Sequence, residues 1–100
     1  MIMAETKDLV TWRALNAAMH DIMEEFPESF TLGEDITTWG TGGGTYGVTR
    51  GLKKKFGAER VMDTPISEEV LLAAVSAAAT RGVRPLLEIM YSAFSFLGFE

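Results

Sequence analysis

Helix-like and strand-like segments alternate along this chain of 100 residues, and the alternation restricts its fold more than any other feature. Apolar residues spaced three or four apart predict helices, and short apolar runs bounded by turn residues predict strands. The predicted helices cover Val10–Phe26, Val48–Phe56 and a segment that opens at Pro65 and Ser67 and ends near Arg81–Gly82, and the predicted strands cover 29–33, 60–64 and 84–91. This order predicts an α/β fold with a parallel sheet flanked by helices and right-handed crossovers.

Charge and composition exclude several classes of protein. The net charge of -5 and the pI of about 4.8 argue against a nucleic-acid partner, since such binding depends on clustered Lys and Arg. The chain has no cysteine and one histidine, which excludes a disulfide framework and makes a histidine-based zinc site improbable.

The sequence also predicts no membrane partner and a cytoplasmic location. Its longest apolar stretch, Val70–Ala79, is much shorter than the about 20 residues that a transmembrane helix needs. The opening "MIMAETKDLV" lacks the charged region and apolar core of a signal peptide.

Acidic residues follow or end each predicted strand. They are Glu34 and Asp35 after the first, Asp63 and Glu68 after the second, and Glu88 in the third. In open parallel sheets ligands bind beyond the carboxyl ends of the strands, so these acids mark the edge where a site is expected. For "LGED", the alternative is a pair of acids that solvate a turn.

Glu68 and Glu69 begin the apolar third helix. Carboxylates in a first turn interact with the helix dipole, worth about 0.3–1 kcal/mol each, and this is one interpretation. The other is that one acid is buried, because the run Val70–Ala79 is predicted to be covered on both sides and a buried carboxylate keeps a proton or a specific partner. Adjacent helical residues point about 100° apart, so the second acid would face solvent.

The glycine-rich segment 39–47 contains "GGGTYG", which matches the pattern G-x-G-x-x-G and precedes a helix. A dinucleotide fingerprint would follow its strand directly, whereas here "GEDITTWGTG" intervenes, and no G-K-[ST] follows. A glycine-rich turn is therefore a better interpretation of this segment than a nicotinamide-binding site. The aromatic residues Phe94, Phe96 and Phe99 are expected in a core or an interface.

Four motifs occur in a single order: "LGEDI", "YGVTRGL", "KFGAERVMDTPISE" and "RPLLEIMYSAF". In this respect the chain, from about Val10 to Phe94, resembles the N-terminal part of the β subunit of the E1 component of 2-oxo acid dehydrogenase complexes. These thiamin-diphosphate-dependent enzymes act on pyruvate, branched-chain 2-oxo acids or acetoin. The resemblance implies that residues 1–100 are the N-terminal part of a transketolase-like pyrimidine-binding domain, that is, a truncated thiamin-diphosphate-binding fold.

The resemblance also implies roles for four residues. Glu68 matches the catalytic glutamate that hydrogen-bonds N1′ of the cofactor's aminopyrimidine and favours its imino tautomer. Glu34 matches an acid that lines the polar passage between paired active sites. Phe94 matches the aromatic residue that stacks on the pyrimidine, and Ile66 matches an apolar contact near the ring. Glu69 has no such counterpart.

The implied partners are an E1 α subunit in an α2β2-type assembly and the lipoyl-bearing E2 component. Thiamin diphosphate would be shared with the α subunit, which holds the diphosphate and its Mg²⁺, and this chain carries no metal motif of its own. The fragment alone is expected to be inactive and to self-associate. Two alternatives stay open: a non-catalytic interaction module that retains the fold, and a fragment of an acetoin dehydrogenase β subunit.

Overall fold

The computed structural model describes residues 10–38 and 42–99. Helices and strands alternate in it as the sequence pattern predicts. In chain order they are α1 (Thr11–Glu25), β1 (Ser29–Glu34), α2 (Leu52–Phe56), β2 (Val61–Thr64), α3 (Glu68–Ala79), β3 (Arg84–Glu88) and a 3₁₀ helix (Ser92–Gly98).

The three strands form one parallel sheet in the order β2-β1-β3, which confirms the predicted fold class. The connection through α3 crosses β1, so that β3 pairs with the opposite edge of the central strand. In register, Gly33 of β1 lies between Asp63 of β2 and Glu88 of β3. The carboxyl ends of all three strands therefore meet at one edge of the sheet.

Gly33 allows the close approach of β1 and β3 at this edge. A Cβ atom at this position would lie 2.7 Å from the Glu88 carbonyl oxygen and 2.7 Å from Cγ2 of Ile36. Contacts under about 3 Å require movement of the backbone, so a larger residue would separate the strand ends that carry the acids.

The core lies between the sheet and helices α1 and α2. Because side chains alternate along a strand, one face of the sheet carries Thr31 and its register partners Val61 and Leu86. The buried cluster on this face consists of Met23, Ile36, Leu52 and Val61, with Met19, Phe56 and Leu86 packed against it. Gly33 of β1 and Glu88 of β3 follow on the same face, two residues nearer to the acidic edge.

Several predicted boundaries are wrong. Helix α2 begins at Leu52 and not at Val48, since turns precede it and Gly51 has a left-handed φ of 80°. Strand β3 ends at Glu88, three residues earlier than predicted. Thr11 lies inside α1, whose N-cap is Val10, and no side chain there bonds the free N–H groups.

Helix α3 is not covered on both sides, contrary to the prediction. It packs on β3 and the 3₁₀ helix, but only Glu68 and Leu71 are buried, and Val70, Ala73, Ala74 and Ala77 are exposed. Phe94, Phe96 and Phe99 are exposed as well, so none of them belongs to the core. The apolar composition of α3 identified a surface that this chain alone does not bury.

No helix in the described part of the chain is long and apolar enough to cross a membrane.

Candidate active site

Two carboxyl groups, those of Glu34 and Glu68, come together at the carboxyl edge of the sheet. Glu34 is the last residue of β1 and Glu68 the first residue of α3. Both are buried, with exposed fractions of 6% and 7%. Of the two interpretations of the acids that begin α3, the buried one describes Glu68, while the adjacent Glu69 is exposed to solvent.

The amino end of α3 fixes this pair. The first N–H groups of a helix have no partner within it and are free to bind an acceptor. Here the backbone N–H of Ser67, the N-cap of α3, donates to Oε1 of Glu34 at 3.1 Å. One carboxyl group thus reaches across from β1 to the helix start, where the side chain of Glu68 begins.

Burial and the neighbouring carboxyl group of Glu68 favour the protonated form of Glu34. Burial raises the pKa of Glu34, and the charge of Glu68 and a hydrogen bond between the two carboxyl groups raise it further, while the Ser67 N–H opposes the shift. Two adjacent buried carboxylates repel each other, which raises the affinity of Glu34 for a proton. The arrangement can hold or return a proton without contact with bulk water.

A third polar group lies at the same edge. Thr64, the last residue of β2, pairs with Glu34 in the sheet register. Within the described ranges, its Oγ1 is the one buried side-chain oxygen or nitrogen that has no hydrogen-bond partner. A buried hydroxyl without a partner is unusual, and it adds a donor and an acceptor beside the acidic pair.

Two other acids of the edge, Asp63 and Asp35, belong to the structure of the turn that follows β1. Asp63 holds the turn after β1, since its carboxylate accepts hydrogen bonds from Thr37 N at 2.8 Å and from the Thr37 hydroxyl. Asp35 lies in that turn with a left-handed φ of 54°. The turn interpretation of "LGED" is therefore correct for Asp35 and wrong for Glu34.

Glu88 lies on the opposite face of the sheet from the pair. It is half-buried, and burial together with the charge of Glu34 raises its pKa. Its side chain lines a cavity of about 750 Å³ between α1 and β3. Neither Glu34 nor Glu68 lines this cavity, so the cavity is separate from the acidic pair.

Ile66 and Phe94, the two residues expected to contact the ring, are both exposed. Ile66 is 79% exposed, two residues before Glu68. Phe94 is in the 3₁₀ helix, and its ring contacts Tyr91 edge to face with the centroids 5.2 Å apart. Both present apolar surface to solvent, and any stacking or ring contact on them remains a prediction.

Sequence reasoning missed Thr64, which lies beside the acidic pair, and Tyr46, which lines the separate cavity together with Glu88. Thr64 lies inside the quoted motif "DTPISE", where its position between two acids was the available signal. Tyr46 belongs to the glycine-rich segment and contacts Tyr91 with ring centroids 5.7 Å apart. Its neighbours in space are far away in the sequence, so no local pattern indicated this contact.

Comparison with known proteins assigns the family. Residues 7–100 match the family described as transketolase, pyrimidine binding domain. The chain belongs to this family. It is 41% identical over 88 residues to the pyruvate dehydrogenase E1 component subunit beta of Leifsonia xyli, which covers 88% of the chain and 25% of that relative.

The names of two other relatives refer to branched 2-oxo acids. The 2-oxoisovalerate dehydrogenase subunit beta of Bacillus subtilis is 42% identical over 81 residues, 81% of this chain and 24% of the relative. The 3-methyl-2-oxobutanoate dehydrogenase subunit beta of Mycobacterium tuberculosis is 35% identical over 95 residues, 95% of the chain and 26% of the relative. The resemblance to E1 β subunits is confirmed, and the chain spans about a quarter of the length of these relatives.

The described residues of this pyrimidine-binding domain contain no group of three or more His, Cys, Asp or Glu side chains arranged to hold a metal ion. The two buried carboxyl groups form a pair in which burial and the neighbouring charge raise the pKa of Glu34. The chemistry that this donor set favours is proton transfer.

The free energy of unfolding should depend on pH through Glu34 and Glu88. The pKa values of Glu34 and Glu88 are raised above the ordinary 4.5, so the folded chain holds protons that the unfolded chain releases. The free energy of unfolding should therefore rise as the pH falls from 7 toward 5, and decrease as the pH rises. Glu34→Gln should stabilise the domain at pH 7 and flatten this dependence, because a neutral amide can still accept the Ser67 N–H bond. Urea unfolding at several pH values measures both effects.

Glu69→Gln is the matched control, since it removes an exposed charge one residue away from the pair. It should leave the slope of stability against pH unchanged. A Glu34→Gln variant with the same slope as the parent would contradict the raised pKa of Glu34.

Proposed function

We propose that this chain supplies the pyrimidine side of a thiamin-diphosphate site in the E1 component of a 2-oxo acid dehydrogenase. The observation that carries the proposal is the buried Glu34–Glu68 pair at the carboxyl edge of the sheet. The relatives named as E1 β subunits of pyruvate and branched-chain 2-oxo acid dehydrogenases support the class of reaction.

The donor set fits the pyrimidine half of the cofactor. A ring nitrogen such as N1′ needs a desolvated carboxyl group that can hold a proton against it, and Glu68 is buried beside a second acid that keeps a proton in the site. The Thr64 hydroxyl adds a polar group without a partner at the same edge. Phe94 would stack on the ring and Ile66 would contact it, since both expose apolar surface.

When bound, thiamin diphosphate supplies a nucleophilic carbon for attack on a 2-oxo acid, and its own 4′-amino group, as the imino tautomer, removes the proton from that carbon. Glu68 would hold the proton at N1′ that favours this tautomer. Glu34 would stabilise the position of Glu68 and exchange a proton with it, as the hydrogen bond between their carboxyl groups allows. Burial excludes water, which keeps the proton between these groups.

The exposed apolar surface of the chain suits a large protein partner. Val70 and the exposed alanines of α3 carry no charge, and Phe96 of the 3₁₀ helix and Phe99 directly after it are exposed as well. Exposed apolar areas of this kind mark interaction sites. The proposed partner is an E1 α subunit in an α2β2-type assembly, which would hold the diphosphate and Mg²⁺; the acyl group would pass to a lipoyl group of E2. The isolated chain would self-associate through the same surface, and its proposed location is the cytoplasm.

Calorimetric titration tests the cofactor site. The chain alone should not bind thiamin diphosphate, whereas a mixture with an E1 α subunit and Mg²⁺ should bind it with a measurable heat. A mixture in which the two proteins associate without binding the cofactor would overturn the proposal in favour of a non-catalytic interaction module. Titration with a nicotinamide dinucleotide is the control ligand and should give no heat, because "GGGTYG" does not directly follow a strand.

A further inference from the structure

The ring of Tyr46 joins the glycine-rich segment to the end of β3. It meets Tyr91 edge to face, with the centroids 5.7 Å apart and the planes at 87°. The neighbouring Thr45 makes a second attachment, since its hydroxyl lies 3.6 Å from the sulfur of Met90. Two adjacent residues of the segment thus hold two adjacent residues that follow the strand.

Tyr91 in turn contacts Phe94. Their rings also meet edge to face, with centroids 5.2 Å apart and planes at 73°. The backbone N–H of Phe94 donates to the Tyr91 carbonyl at 2.9 Å, so ring and backbone of these two residues move together. Tyr91 therefore lies between Tyr46 on one side and Phe94 on the other.

The turn that directly follows Tyr46 is held on α1. Asn16 Nδ2 donates to the carbonyls of Val48 and Arg50 at 2.8 and 2.9 Å, and His20 Nε2 donates to the Arg50 carbonyl at 2.9 Å. Gly47 lies against Trp12, where a Cβ atom would be 3.2 Å from the indole. Tyr46 thus stands directly before a turn that α1 holds at three hydrogen bonds.

Phe94 lies on the 3₁₀ helix and is 39% exposed. The 3₁₀ helix contains no buried residue, and Phe94 is its third residue. A ring so exposed keeps one orientation only if a neighbour restricts its rotation, and Tyr91 is the ring in contact with it.

We propose that Tyr46 is a positioning residue, which acts through Tyr91 to fix the ring of Phe94 for stacking on the pyrimidine of the cofactor. This inference rests on the proposed function, because it assigns a purpose to the orientation of Phe94. It gives Tyr46 of the glycine-rich segment a role in the site without any phosphate contact. Helix α1 holds the turn after Tyr46, and the ring of Tyr46 restricts the rings of Tyr91 and Phe94.

The first test needs no cofactor. NMR spectra of the chain with labelled phenylalanine, assigned with Phe94→Leu, report the surroundings of the Phe94 ring. Tyr46→Ala should shift the Phe94 ring signals and weaken the nuclear Overhauser effects between Tyr91 and Phe94. Tyr46→Phe keeps the edge-to-face ring and should preserve both, which makes it the matched control. Unchanged Phe94 signals in Tyr46→Ala would overturn the proposal and leave the proposed function intact.

The second test separates positioning from general damage. In the mixture with an E1 α subunit and Mg²⁺, Tyr46→Ala should weaken thiamin diphosphate binding by about 2- to 10-fold, as expected from the loss of one oriented aromatic contact. Binding of inorganic pyrophosphate, which lacks the pyrimidine, should stay unchanged, and Tyr46→Phe should restore the affinity for the cofactor. Equal weakening of both ligands would overturn the positioning role. Failure of the unaltered mixture to bind thiamin diphosphate would overturn the proposed function, and this inference with it.

Discussion

Glu68→Gln is expected to lower the turnover of the assembled E1 enzyme by about 10²–10⁴-fold, the usual contribution of a positioned acid–base group. The amide has nearly the volume of the carboxyl group and remains able to hydrogen-bond Glu34, so the fold should persist. It cannot exchange a proton with a ring nitrogen, however, and that exchange is the proposed role of Glu68. Steady-state assays with a 2-oxo acid and an artificial electron acceptor measure the loss.

The neighbouring acid provides the control. Glu69→Gln removes the same charge from the same turn of α3, but its side chain is exposed. Its turnover should match that of the parent enzyme, and circular dichroism should show equal helix content in both variants. Near-normal turnover of Glu68→Gln, or an equal loss in both variants, would contradict the assignment.

Arg60→Ala is expected to destabilise the domain by about 3 kcal/mol, because hydrogen bonds from a charged donor contribute about 1.5–3 kcal/mol each and are not fully additive. Arg60 Nε donates to Ser29 O at 2.9 Å, and its Nη2 donates to Met23 O, Phe26 O and Ser29 Oγ at 2.8, 3.1 and 3.0 Å. The guanidinium also lies 5.0 Å from the centroid of the Phe56 ring. The side chain thus connects the end of α1, the start of β1 and helix α2.

The truncation would remove a charged donor from the carbonyls of Met23, Phe26 and Ser29, and Pro27 has no N–H that could bond Met23 O in its place. Urea unfolding followed by tryptophan fluorescence gives the free energy of unfolding. Arg84→Ala is the matched control: it also has a ring contact, 4.1 Å from the Phe26 centroid, and an ion pair with Glu28, but its side chain is 56% exposed. It should cost no more than about 1 kcal/mol. Similar losses in the two variants would refute the bridging role of Arg60.

The order of elements could be predicted from the sequence, because each element has a local signal. Pro27 and Gly57 follow helices that end at Glu25 and Phe56, and Ser67 stands directly before α3. The start of α2 could not be predicted in this way. Val48 to Gly51 continue an apparently helical pattern, but Gly51 adopts a left-handed φ and the Thr49 hydroxyl is drawn to the carbonyl of Ile36 at 2.6 Å. A tertiary contact there overrides the local preference.

The expected burial of α3 failed for a related reason. Its composition measures how much apolar surface the helix carries, and periodicity cannot say which molecule covers that surface. In this chain, β3 and the 3₁₀ helix cover one side, with Gly98 so close to Leu72 that a Cβ atom would overlap it. The other side, with Val70 and its neighbouring alanines, is left for a partner.

The sequence by itself determined that Glu68 begins an apolar helix and that Glu34 ends a strand, since capping signals and apolar runs are local. Only the tertiary structure decided that these two acids are buried next to each other. Glu34 reaches the N-cap of α3 across 33 residues of sequence, through the pairing of β1 with β2 and the crossover that follows. The pKa of Glu34 rises because burial and a second carboxyl group act through space, and no stretch of sequence encodes that distance.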